Sequence, residues 1–365
     1  MKTFSDKQLA SLETPAVLLD WQQMIANIRE MASHCAAHGV RLMPHMKTPK
    51  SVAIARAHLE AGACGLTVAK ISEARAILES GVRRIFLAYP ISSPNKVSRL
   101  IELSRLLDEL IVAGTSPEQI RRFSGLLESS GCRFPCLLGL DTGLGREGAR
   151  DLDALREMKS LVEQSESLTY RGIFSHEGFT YTSSPGEIPA QSRQVAARLR
   201  EARQALGDSG ELWPGCSVTA RHMAGEPGIT GLRPGAYLFG DLFLTDFTGA
   251  MGREALALCM AATVVDKPEP GLALIDAGSK VFSSDKNPNF PYNALPLDGS
   301  DYALTRMSEE HGFLTGPDTA RLSLGQVVTL IPAHVCPVVN LSERYSVFKD
   351  GAFEHIPVEA RGCVW

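Results

Sequence analysis

Apolar and polar positions along this chain alternate in two rhythms. Short apolar runs, PAVLLD (15–20), GVRLMP (39–44), CGLTVA (64–69), RIFLAYP (84–90), ELIVAG (109–114), FPCLLGLD (134–141), YRGIFSH (170–176) and YLFGD (237–241), are separated by stretches of helical spacing. Trp21, Met24, Ile25, Ile28, Met31, Ala32 and Cys35 fall at i, i+3, i+4, i+7 intervals, which predicts a helix with one buried face. The strand-like runs recur every 20 to 36 residues or so, the length of a βα unit. Eight such units predict an α/β protein built on a parallel (β/α)8 barrel. A doubly wound sheet is the structural alternative that periodicity leaves open.

After about residue 250 the texture changes. ALCMAATVVD, GLALIDAG, QVVTLIPAHVCPVVNL and RYSVFKDGAFEHIPVEARG read as strands joined by turn residues, and Asp350-Gly351 between two alternating runs is a hairpin signal. The expected organisation is a barrel over residues 14–245 and a mostly β domain over 250–365, with residues 1–13 as an uncertain segment that could join the second domain.

Composition narrows the class. With 365 residues, 44% of them hydrophobic and 21% charged, the chain can bury a large core and is not disordered. Its 37 basic residues against 41 acidic ones give a net charge of −4, so nothing points to nucleic acid or an anionic membrane as partner. Asp6, Lys7, Glu13 and Asp20 interrupt any signal-peptide core, and no uncharged apolar run reaches the roughly 18 residues of a membrane span. Eight cysteines are too sparse for a disulfide scaffold, and Cys136 and Cys259 sit in apolar runs as small core residues. A soluble, cytoplasmic protein is expected.

Functional side chains gather where barrel strands end. The second run ends Pro44-His45-Met46-Lys47-Thr48, and a lysine there can be a Schiff-base nucleophile in a barrel mouth or simply a solvated loop residue. Other polar ends are Asp141-Thr142-Gly143 with Arg146, Ser175-His176-Glu177-Gly178 followed by Tyr181, and Arg233-Pro234-Gly235-Ala236-Tyr237. Gly143-Leu-Gly145-Arg146-Glu-Gly148 satisfies the dinucleotide fingerprint G-x-G-x-x-G. It lies in the sixth unit rather than the first, however, and Asp141 would repel a pyrophosphate. The glycines fit a tight loop under a ligand better. His334 and Cys336 stand two apart, and on a strand they would face one side as a soft divalent-metal pair, with zinc as first choice. Glu310, His311 or water would complete such a site; a hydrogen-bonded histidine beside a core cysteine is the alternative.

Taken in order, Thr14-Pro15-Ala16, Pro44-His45-Met46-Lys47-Thr48, Asp141-Thr142-Gly143, Arg146, His176-Glu177-Gly178, Arg233-Pro234-Gly235, Glu309-Glu310-His311-Gly312 and His334-Val335-Cys336 resemble the D-threonine aldolase / D-serine dehydratase family. The resemblance covers about residues 14–345. It implies the alanine-racemase-type fold, pyridoxal 5′-phosphate (PLP) held on Lys47, a divalent metal (zinc, or manganese or magnesium) and a homodimer acting on a small D-amino acid. It further implies Arg146 facing the cofactor's phenolate oxygen, His176 against its ring, and Tyr181 nearby. The segment Arg233, Gly235, Ala236 and Tyr237 would reach the pyridine nitrogen and give backbone N–H groups to the phosphate, with Thr219 as its hydroxyl ligand. Two departures stand out: Phe179 replaces a second histidine, and Cys216-Ser-Val-Thr219 replaces a glycine- and serine-rich phosphate segment. His-x-Cys rather than His-x-Asp tilts the expected outcome toward β-elimination over retro-aldol cleavage. An amino-acid racemase, a non-catalytic PLP carrier and a PLP-free metal hydrolase are the rivals.

Overall fold

The computed structural model describes residues 4–207, 210–285 and 289–365. Its first nine strands are β1 (Ala16–Leu19), β2 (Arg41–Leu42), β3 (Leu66–Val68), β4 (Arg84–Leu87), β5 (Glu109–Gly114), β6 (Phe134–Gly139), β7 (Leu168–Phe174), β8 (Glu211–Trp213) and β9 (Gly231–Leu232). Strands β3 to β8 form a parallel sheet in sequence order, and β2 pairs parallel with β9. The ring closes on both sides of that pair. The His45–Thr67 bridge joins β2 to β3, and Thr230 N donates to Leu212 O between β9 and β8. Eight parallel strands thus enclose Met43, Phe86, Ile111, Leu137, Phe174 and Trp213, a filled interior rather than a pore.

Two of the eight expected barrel strands are not barrel strands. The run at 15–20 is β1, which leaves the barrel and pairs antiparallel with β10 (Leu258–Glu269). The run at 237–241 begins with a short 3-10 turn, Ala236–Leu238. Their places are taken by the three-residue β8 and two-residue β9, too short to show alternation. The helix expected from Trp21 to Cys35 is present as Trp21–Ala37, with Asp20 as its N-cap accepting from Gln23 N.

The remaining strands, β11 (Leu272–Ile275), β12 (Ala294–Pro296), β13 (Ala303–Met307), β14 (Gly312–Thr315), β15 (Val327–Pro332), β16 (Arg344–Lys349) and β17 (Ala352–Pro357), join β1 and β10 in one nine-stranded sheet. Strands β16 and β17 form the expected hairpin, with Asp350 and Gly351 both at positive φ (50° and 90°). The N-terminal segment packs on this sheet: Phe4 lies 6.1 Å from the Phe348 ring, and Leu9 and Leu12 cluster with Leu18 and Cys259. All eight cysteines are free thiols, and burial pushes Cys136 up to about 12. No helix among the described residues is long and apolar enough to cross a membrane.

Candidate active site

A cavity of about 520 Å³ opens where the barrel's strand ends meet the β domain, large enough for a cofactor and a small substrate. Lys47, half-buried, lines it from the turn after β2. On the same wall, His45 Nδ1 accepts from Lys47 N at 3.2 Å, and His176 Nδ1 donates to Gly215 O. Burial, then the charges of Lys47, Arg233 and Arg146, holds His45 well below the usual imidazole range. Burial likewise takes His176 down to about 3, with Lys47 adding to the effect. With the proton on Nδ1, the neutral His176 keeps a lone pair at Nε2.

Arg233 forms the floor. Its guanidinium lies 5.3 and 5.4 Å from the Phe86 and Phe174 rings, and Nη2 donates to Ser175 O at 2.6 Å. Burial lowers Arg233 to about 10, while Glu177 opposes that shift. Glu177 is fully buried, accepts from Ser175 Oγ and from Gly215 N (3.1 Å), and is raised by burial. The glycines that follow are required by space. A Cβ on Gly235 would stand 2.8 Å from Thr48 Oγ1, and one on Gly215 would stand 2.8 Å from the Arg233 guanidinium. The N–H groups of Gly235 and Tyr237 both point at Ser217 Oγ (3.1 and 3.3 Å). Thr219, two residues on, has a buried hydroxyl with no partner among the described residues. Ser217, Gly235 and Ala236 line the cavity, whereas Thr219 and Tyr237 lie behind that lining. A glycine turn whose N–H groups converge on one hydroxyl is a fitting seat for a phosphate.

Other expected residues behave differently. Arg146 lines the cavity, but its guanidinium pairs with Glu147 and is half exposed. Tyr181 lines the cavity, and burial raises it well above its ordinary value. The Tyr237 hydroxyl points away, to His58 Nδ1 at 3.3 Å. Asp141 folds its own loop, accepting from Gly143 N (3.0 Å) and Gly145 N (3.2 Å) and pairing with Arg150. Those glycine N–H groups are therefore committed to a carboxylate, and the dinucleotide fingerprint is a loop device.

The opposite wall comes from the β domain. His334 and Cys336 both line the cavity, though not as neighbours on a strand. Strand β15 ends at Pro332, His334 is the N-cap of the helix Val335–Leu341, and Cys336 lies in its first turn. The chain turns here because Asp241 takes Val335 N at 3.0 Å, and because Pro337 fits a first turn that needs no intrahelical N–H. Cys336 Sγ lies 3.1 Å from Thr48 Oγ1, close behind Lys47. Burial alone would raise this thiol, but His334, Lys47 and Thr48 together lower it. Burial would lower His334, but Cys336, Asp285 and Asp241 reverse this and raise it. Asp285 Oδ2 lies 2.5 Å from His334 Nδ1, which leaves Nε2 for the cavity side. An imidazole and a low-lying thiol suit a borderline-soft divalent cation.

Glu310 and His311 do not complete this pair. Both are exposed, and Glu310 is bound to Lys280 at 2.6 Å. Among the described residues no three His, Cys, Asp or Glu side chains converge as a ligand set. Sequence reasoning missed Thr48 as the thiol's partner, Ser217 at the N–H turn, and the two carboxylates Asp241 and Asp285. Thr48 and Ser217 stand in the sequence only inside longer motifs, Asp241 only as a lone acid closing an apolar run, and no pattern marks Asp285.

The profile of the family described as alanine racemase, N-terminal domain, matches residues 19–242, and that of a serine dehydratase domain matches residues 257–348. The chain is 30% identical to a D-threonine aldolase of Arthrobacter sp., over 97% of this chain and 94% of the relative. It is also 30% identical to a D-threo-3-hydroxyaspartate dehydratase of Delftia sp., over 90% and 92%. The crystal structure of a D-threonine aldolase from Filomicrobium marinum superposes with a TM-score of 0.85 at 28% identity, covering 98% of both chains. The Delftia dehydratase gives 0.86 at 28%, covering 96% and 98%. That enzyme is also known as a histidine variant and as a cysteine variant in a metal-free form. Alanine racemase from Bacillus anthracis, at 16% identity and a TM-score of 0.68, shares the fold.

Proposed function

This chain belongs to the D-threonine aldolase / D-serine dehydratase family on the alanine-racemase fold, PLP-dependent lyases of D-β-hydroxy amino acids. From that premise we propose that Lys47 carries the cofactor, that His334 and Cys336 hold a divalent metal, and that the outcome is β-elimination. PLP supplies an electron sink for charge at Cα. Gly235 N, Tyr237 N, Ser217 and Thr219 would hold its phosphate, and Arg233 and His176 its ring. Arg146 would leave Glu147 to meet the phenolate oxygen, whose charge a guanidinium favours.

With the cofactor bound, the Lys47 amine would serve as the base that takes the proton from Cα. His45 and His176 stay neutral beside it, so neither competes as a cation for the substrate carboxylate. A metal contributes Lewis acidity toward the β-hydroxyl. Zinc is the first choice for the thiol–imidazole pair, with manganese or magnesium as harder alternatives. The working unit is a homodimer in this reading.

The observation that carries β-elimination is Cys336, a lowered thiol beside His334 and 3.1 Å from Thr48. Retro-aldol cleavage to glycine and an aldehyde is the second reading, favoured by the 30% identity to the aldolase across 97% of this chain. A product assay over D- and L-β-hydroxy amino acids separates them: keto acid and ammonia support elimination, and glycine with aldehyde overturns it.

A further inference from the structure

The turn that bears Lys47 is fastened from outside the barrel by the last residues of the chain. Lys50, three residues on, has its backbone in the left-handed region (φ 47°), where a residue with a Cβ sits at a cost, and its side chain is buried. Its ammonium has two carbonyl partners, Ala360 O at 3.3 Å and Cys363 O at 3.4 Å. Its backbone is tied at both ends: Lys50 N donates to Met46 O at 2.9 Å, closing the turn around Lys47, and Lys50 O accepts from Ala360 N at 3.0 Å. The flanking residues are tied as well. Tyr345 Oη donates to Pro49 O at 2.6 Å, and Glu359 Oε2 accepts from Val52 N at 2.9 Å. At the tail's end, Trp365 O accepts from Ser72 Oγ at 2.6 Å.

Four of these bonds join the catalytic turn, and Val52 just beyond it, to the tail: two from the Lys50 ammonium, one to Lys50 O and one between Val52 and Glu359. A buried ammonium is retained where its hydrogen bonds replace those it had with water, and here the carbonyls that replace them belong to the tail. The left-handed conformation persists only when its surroundings over-determine it. We propose that residues 358–365 form a strap that sets the position of the Lys47 amine, with Lys50 as the positioning residue through which the strap acts. The inference rests on Lys47 being the reacting lysine. Lys50 itself does not line the cavity. It fixes the turn between Met46 and Lys50, and through that turn the approach of the Lys47 amine to the substrate's Cα. A misplacement of about 1 Å at such a group costs on the order of 100-fold in rate.

The test compares wild-type holoenzyme with Lys50→Met, Lys50→Arg and a chain lacking residues 363–365. Three readouts are taken on folded, cofactor-loaded protein: kcat and KM, the pH titration of the near-visible cofactor absorbance, and the fraction of cofactor trapped on Lys47 by borohydride. The expected result for Lys50→Met is a kcat lowered about 10- to 100-fold with KM changed far less, the signature of a misplaced reacting group. The absorbance titration should shift as well. Lys50→Arg should recover part of both, and the shortened chain should follow Lys50→Met. If Lys50→Met and the shortened chain lose only thermal stability, with wild-type titration curves and kcat per loaded molecule, the strap is a structural tie and the proposal fails. Should Lys50→Met not fold, the shortened chain alone decides by the same two criteria. Lys47→Ala separates the two readings: borohydride-trapped cofactor persisting elsewhere in that variant would overturn the assignment of Lys47 itself, and the strap with it.

Discussion

Histidines on the two walls of one cavity are treated in opposite ways. On the barrel wall His45 and His176 are held neutral, first by burial and then by Lys47, Arg233 and Arg146. On the β-domain wall His334 is only partly buried, and Cys336, Asp285 and Asp241 outweigh its desolvation and raise it. The barrel wall is a field of cations with uncharged imidazoles between them, arranged for anions: a phosphate, a phenolate, a carboxylate. The facing wall gathers carboxylates and a lowered thiol around an imidazole, arranged for a cation. In the proposed reading, chemistry at Cα and chemistry at Cβ fall to different domains, and the substrate would lie across their seam. Thr48, bonded to Cys336 one residue after Lys47, is where the two walls touch.

The contrast predicts that the walls fail separately. Lys47→Ala should abolish the near-visible cofactor absorbance and cut turnover by about 10³-fold or more, since it removes both the covalent anchor and the base. Normal turnover without the band would break the assignment of the barrel wall. Removing the metal with EDTA, or Cys336→Ala, should lower turnover by roughly 10²- to 10³-fold while leaving the absorbance band in place, because a Lewis acid is worth several kcal/mol. Full activity in metal-free protein, verified by elemental analysis, would leave the β-domain wall with no chemical part. Asp285→Asn should weaken metal affinity by about 10- to 100-fold, the usual effect of losing the carboxylate behind a ligating histidine. Activity titrated against buffered free metal measures it, and an unchanged midpoint would mean that Asp285 merely touches His334.

The barrel wall was legible in the sequence because each of its groups sits where an apolar run stops. Arg233 directly follows β9, His176 comes two residues after β7 and Lys47 five residues after β2, at the end of its apolar run, and the ends of such runs are visible in a one-dimensional pattern. The run at 15–20 deceived for a physical reason: Val17, Leu18 and Leu19 are buried, and a fully buried strand reads alike in a parallel or an antiparallel sheet. Strands β8 and β9 stayed hidden because three and two residues hold no period. The cation wall was legible only in part. The spacing of His334 and Cys336 pointed to one site, but by a strand geometry the chain does not adopt. Asp285 and Asp241 reach their partners across 49 and 94 residues of sequence, and no local pattern records such a contact.

A smaller effect sharpens the contrast away from the reacting atoms. His58 is fully buried behind the barrel wall, where it contacts Tyr237, and burial lowers it to about 3 from an ordinary 6.5. Between those two values the unfolded chain takes up a proton at this position and the folded chain does not. The stability His58 permits is therefore complete above about pH 6.5 and is lost progressively as pH falls toward 3, by up to about 1.4 kcal/mol per pH unit. Glutamine keeps a polar group for the Tyr237 hydroxyl and cannot be protonated. His58→Gln should cost a fixed amount of stability at neutral pH but flatten the acid limb by about one proton. Urea unfolding of apoprotein at pH 6.5, 5.5 and 4.5 gives the slope directly. His334, whose shift has the opposite sign, should not add to that limb: its folded form already holds the proton there. An acid limb as steep in His58→Gln as in the wild type would mean that His58 is not held neutral, and that burial behind the barrel wall does not by itself keep an imidazole uncharged.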